Sequence, residues 1–147
     1  MKKYAVGFAL SLGILILLLI IDAQLYHQVM PLHAPIILLS LHVMVHRYLI
    51  PEKRYGAYFF FVLVVAASIF FSLPAFTHQQ AQEHILKTYG QDLELTEQDN
   101  LPLDREDAWD PFKPAWGYAF LGFVSSKEEH ISLLFIPDTG RILEIAP

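Results

Sequence analysis

His42 and His46 stand four apart inside an otherwise apolar run. On a helix that spacing puts both imidazoles on one face, where they can share a metal ion or one of them can ligate haem. An ionisable group inside an apolar segment is a functional candidate by default, and quinone or proton handling is a further chemistry open to the pair. His33 falls on another part of the same helix and His27 in the loop before it. The other apolar runs offer no acidic or cysteine ligand, so the set is incomplete. The competing role is structural, with His42 hydrogen-bonded to a neighbouring helix and His46 beside Arg47.

Two further clusters place carboxylates near histidine: Glu83-His84, and Glu128-Glu129-His130. Such groups can bind metal or do acid–base work, but adjacent residues along a strand point to opposite faces, and a solvated turn is the simpler expectation. No Gly-x-Ser-x-Gly, His-Glu-x-x-His or P-loop pattern occurs, so no nucleophile, base or cofactor cradle is visible. The chain is expected to be no enzyme and to carry no cofactor. Cysteine is absent, which removes disulfides, thiolate metal sites and thiol nucleophiles. A different chemistry lies in the acidic segment 104–112, where Trp109 and Phe112 stand among Asp107, Asp110 and other acids. Aromatics presented among acids are anchors for a basic partner surface; alternatively both rings tuck under a small core. Trp116 opens an aromatic stretch to Ser125, the stickiest of the polar half, and joins the candidate partner-binding set.

Three long apolar runs must position the histidines: Tyr4 to Ile21, Pro35 to Ile50, and Tyr55 to Phe76, the last interrupted only by Ser68 and Ser72. Each approaches the roughly 20 residues that cross a hydrocarbon core. The expectation is a membrane α-helical region over residues 1–76, with transmembrane helices at about 4–21, 33–50 and 55–75. The first run is longer than the 7 to 15 apolar residues of a signal peptide, so it is expected to stay as an anchor. Basic residues lie at Lys2, Lys3, Arg47, Lys53 and Arg54, with none in 22–34. By the positive-inside rule the N-terminus and the 51–55 loop face the cytoplasm and residues 77–147 face outward. The absence of disulfides from an outward domain points to a multi-pass protein of a bacterial cell membrane. Gly7 and Ser11 form a smooth helix face for close packing against another helix, of this chain or of a partner. Of the aromatics at both ends of the third run, a group that includes Tyr58, some are expected to form interfacial belts.

Charge divides the 147 residues sharply: 1–75 carry five Lys/Arg against two Asp/Glu, and 76–147 carry five against thirteen. The charge of the acidic half therefore argues against nucleic acid or anionic lipid as its partner. Thr77 to Tyr89 predicts a helix, N-capped by Thr77 and stopped by Gly90, burying Ala81, Ile85, Leu86 and Tyr89. Asp92 to Gln98 alternates as a strand, 99–114 reads as a loop, Trp116 to Ser125 as a central strand, and 130–136 with 141–145 as a hairpin about Pro137-Asp138-Thr139-Gly140. One helix on a curled antiparallel sheet of about four strands is the resulting α+β domain. The helix running to Tyr89-Gly90 and the stretch "SLLFIPDTGRILEI" at 132–145 resemble the PepSY and cystatin-like domains found outside bacterial membranes. That resemblance implies binding or inhibition of a neighbouring protein without catalysis. The expectation is a non-enzymatic, membrane-anchored interaction protein that binds, inhibits or assembles with another cell-envelope protein. The alternative is a small redox or transport subunit using His42 and His46; the sequence leaves any small-molecule ligand unknown.

Overall fold

The computed structural model describes residues 2–90, 92–104, 109–125 and 129–145, with side chains from residue 5 onward. Asp107 and its neighbours 105–108, Glu128, and the side chains of Lys2 and Lys3 lie outside the described residues. The chain forms α1 (Lys2–Leu25), α2 (His33–Leu49), α3 (Tyr55–Phe71), α4 (His78–Tyr89), β1 (Leu93–Glu97), β2 (Leu101–Pro102), β3 (Trp116–Val124), β4 (Glu129–Phe135) and β5 (Ile142–Ile145).

The helices correct the three-span expectation. Among the described residues one helix, over Ala5–Leu25, is long and apolar enough to cross a membrane. α2 and α3 have 17 residues each, about 25 Å at 1.5 Å per residue, against about 30 Å of hydrocarbon. α2 is further interrupted by Ser40, His42 and His46 and carries Arg47 in its last turn. α3 ends at Phe71, where Ser72 turns its N–H and its hydroxyl back onto the Ser68 carbonyl and Pro74 bars continuation. The multi-pass arrangement falls with the three spans. α1, by contrast, runs past Ile21 to Leu25. Asp22 does not stop it, because the Asp22 carboxylate turns to accept the Met30 N–H at 2.9 Å while its carbonyl accepts from Tyr26 and Gln28.

α4 starts at a capping box: Thr77 Oγ1 accepts from the Gln80 N–H at 3.3 Å and the Gln80 side chain accepts from the Thr77 N–H at 2.9 Å, so two orphan donors are satisfied together. Ala81 and Ile85 are fully buried. Tyr89, expected on that face, is 38% exposed because its hydroxyl donates to Glu144 Oε1 of β5 at 2.8 Å. The sheet is antiparallel throughout, in the order β1-β3-β4-β5, with β2 also on β3. It has five strands rather than about four. The additional strand, β2, lies inside the segment expected to be a loop, and pairs Leu101 with Gly117 and Pro102 with Trp116.

Tyr118, Phe120, Leu133, Phe135 and Leu93 of the sheet pack with Ala81 and Ile85 of α4. Val29, from the loop between α1 and α2, is buried in the same cluster. Its neighbour Met30 instead joins Leu18, Tyr26, Leu32, Leu39 and Val65 among the helices. Consecutive residues of one short loop thus fill two cores and tie the helices to the sheet. A second tie lies at the hairpin. Gly140, at φ 71, sits so close to the Phe76 ring that a Cβ there would lie 2.9 Å from Cε2. Phe76 donates its N–H to the Pro137 carbonyl at 2.9 Å and accepts from the Tyr118 hydroxyl at 3.2 Å.

Candidate functional site

The Gly7–Ser11 face of α1 meets the histidine face of α2. A Cβ on Gly7 would lie 3.0 Å from His46 Cγ, so glycine sets how closely the helices approach. One turn on, Ser11 Oγ is 2.8 Å from His42 Nδ1. The other nitrogen, His42 Nε2, is 2.8 Å from the Tyr58 hydroxyl of α3. Tyr58 is therefore a partner of His42. His42 is buried with both nitrogens engaged, which leaves it no lone pair for a metal. Among the described residues His46 Nδ1 is buried without a hydrogen-bond partner, and the two rings lie 6.0 Å apart, centroid to centroid, and tilted. The arrangement ties three helices together.

The acidic aromatic segment divides its residues. Trp109 is 84% exposed and does not tuck under the sheet. Phe112 is partly buried and meets the Phe71 ring at the end of α3, edge to face at 6.1 Å. Its N–H is bonded by Asp110 Oδ1 at 3.0 Å, which holds the turn. Trp116, 45% exposed, opens β3 nearby. Trp109, Asp110 and Trp116 line an open cleft of about 460 Å³ together with Val29, Met30 and Pro31 of the α1–α2 loop.

On another side the same loop borders a larger open cleft of about 870 Å³, where His27, His78 and Glu97 converge. The best-placed donor atoms of the three side chains all lie within 4.8 Å of one another. His78, the first residue of α4, is buried, its ring packed against Tyr118 at 5.2 Å and Phe120 at 5.1 Å. Its Nδ1 is 3.6 Å from Glu97 Oε1 at the end of β1, and that oxygen also accepts from Gln82 Nε2 at 2.9 Å. His27 stacks on His78 with centroids 3.8 Å apart. Burial, and then the neighbouring His27, push the His78 pKa below its usual value, with Glu97 opposing. The neutral imidazole, with a lone pair available for an electrophile, is therefore favoured. His27 and Gln28 both occupy the left-handed region, at φ 47 and 64, and the Asn100 amide donates to the His27 carbonyl. Burial also holds the Tyr118 phenol well above its usual pKa, reinforced by Tyr26 and Asp22.

Among the described residues the remaining charged clusters form no further group of three metal-ligating side chains. Glu83 is exposed and His84 packs its ring on Phe76 and Phe135. Glu129 is exposed and His130 leans on Phe123 at 4.9 Å. Sequence reasoning places His27 in a loop and misses its meeting with His78 and Glu97, because the three residues come from separate elements and share no spacing. No family model, curated protein or solved structure matches this chain.

Proposed function

We propose that the chain is a membrane-anchored, non-enzymatic interaction protein whose α+β domain captures another cell-envelope protein in an accessory, regulatory or immunity role. α1 is the anchor: its apolar window is only 22% buried within the protein, unlike a core helix. The Asp22–Met30 bond and buried Val29 couple its end to the domain. Lys2 and Lys3 ahead of it, with no basic residue in 22–34, favour a cytoplasmic N-terminus and an outward domain. The absence of cysteine suits a bacterial envelope.

The observation that carries the proposal is Trp109, a large ring 84% exposed at the lip of a cleft that also holds Trp116. Exposed tryptophans beside a concave surface are the residues that dominate binding energy at interfaces. The excess of acids over bases in 76–147 selects a partner with a basic face. The resemblance of the helix ending at Tyr89-Gly90 and of residues 132–145 to PepSY and cystatin-like domains is carried into the proposal, and it implies binding rather than catalysis. Affinity purification of tagged protein from its native membrane in mild detergent, with quantitative mass spectrometry, tests the proposal. One stoichiometric envelope partner is expected with wild type and its loss with Trp109→Ala and Phe112→Ala together, while the far-ultraviolet circular dichroism stays unchanged. Capture that persists in this variant would exclude the aromatic segment as the contact; no partner at all would contradict the function.

A further inference from the structure

The convergence of His27, His78 and Glu97 is independent of partner capture and has its own chemistry. Two imidazoles and one carboxylate are a donor set for a borderline divalent metal of the Zn(II) class. Oxygen-seeking Ca(II) or Mg(II) needs more carboxylate and carbonyl ligands than this, and thiolate ligation is ruled out by the lack of cysteine. Each donor is held in place. His78 is buried between Tyr118 and Phe120 at the start of a doubly capped helix. Glu97 ends β1 opposite Phe120 and is oriented by Gln82, the kind of outer hydrogen bond that aims a metal ligand. His27 stands on a loop fixed by Asn100 and by buried Val29.

We propose that His27, His78 and Glu97 bind one Zn(II)-class ion that clamps the α1–α2 loop to α4 and β1. Bond lengths of about 2.0–2.2 Å at tetrahedral angles bring neighbouring donors to about 3.4 Å apart. The 3.6 Å between His78 Nδ1 and Glu97 Oε1 is already near that value. The donor atoms all lie within 4.8 Å of one another, and rotation of the exposed His27 side chain brings its nitrogen to the other two. The open cleft leaves the fourth position to water, and Asp99 lines the same cleft. A metal here would cross-link segments that are distant in sequence, and ligands that bind only the folded state raise its stability.

The test uses full-length protein in mild detergent, purified through a tag without histidine, stripped with a chelator and titrated with Zn(II) alone. Wild type is expected to bind one equivalent and to melt at a higher temperature when loaded. His27→Ala, His78→Ala and Glu97→Gln are each expected to lower the affinity by about tenfold or more. His130→Gln, which alters a histidine of β4 outside the cleft, is expected to leave it unchanged. His27 is an exposed loop residue, so His27→Ala is decisive even where His78→Ala disturbs folding. Failure of wild type to bind zinc, undiminished binding by His27→Ala, or equal loss in His130→Gln would each overturn the proposal.

Discussion

Two pairs of histidines lie close together in this molecule, and the protein treats their nitrogens in opposite ways. His42 and His46 share one helix face, and His42 spends both nitrogens on Ser11 and Tyr58. His27 and His78 come from different elements, stack on each other, and face Glu97 across an open cleft. The first pair lies on α2 where α1 and α3 meet it; the second borders an open cleft. Proximity of imidazoles is therefore a poor guide to ligation. What matters is whether the lone pairs already have partners and whether a ligand can reach them.

The largest effect that can break this contrast is His42→Leu. Leaving buried Ser11 and partly buried Tyr58 without their shared partner is expected to cost about 1–3 kcal/mol, most of it at Ser11, read by thermal unfolding in detergent. Zinc stoichiometry should not change; a fall in zinc affinity would erase the distinction between the pairs. Next comes Gly7→Leu, which drives a side chain into the His46 ring and is expected to cost about 1–3 kcal/mol. His46→Ala should recover part of that loss, whereas independent, additive effects would show that the two residues do not set the helix approach. Thr77→Ala removes the cap of α4 and should cost about 1 kcal/mol. Because His78 is the first residue of that helix, zinc affinity should weaken with it, and unaltered affinity would mean that the helix start does not position His78. The smallest expected change in stability, within about 0.5 kcal/mol, belongs to Trp109→Ala, whose ring is solvated; a larger drop would reveal a packing role.

The legible parts of the fold are those with local chemistry. α4 was written in Thr77, Gly90 and the spacing of Ala81 and Ile85, and the last hairpin in Pro137 through Gly140. The helical half misled because apolar runs of nearly membrane-spanning length form helices of only 17 residues in α2 and α3. α2 and α3 stop short where polar residues and Pro74 intervene, while α1 continues through Asp22 because Met30, eight residues further on, satisfies that carboxylate. β2 is two residues long and contains proline, so it gives no alternation to detect. Of the aromatic segment, the sequence offered exposure or burial for Trp109 and Phe112 alike; the structure separates them, with Phe112 against α3 and Trp109 outward. The histidine pair with helical spacing was visible and proved saturated at His42. The cleft was invisible, because its donors meet only after Val29 enters the core beneath the sheet.

Zinc K-edge X-ray absorption of the loaded full-length protein tests the contrast between the two histidine pairs most directly. The expected spectrum shows two imidazole nitrogens and carboxylate oxygen at about 2.0–2.2 Å; it should lose one imidazole in His27→Ala and stay unchanged in the double variant His42→Ala with His46→Ala. A spectrum altered by the helix pair, or indifferent to His27, would contradict it.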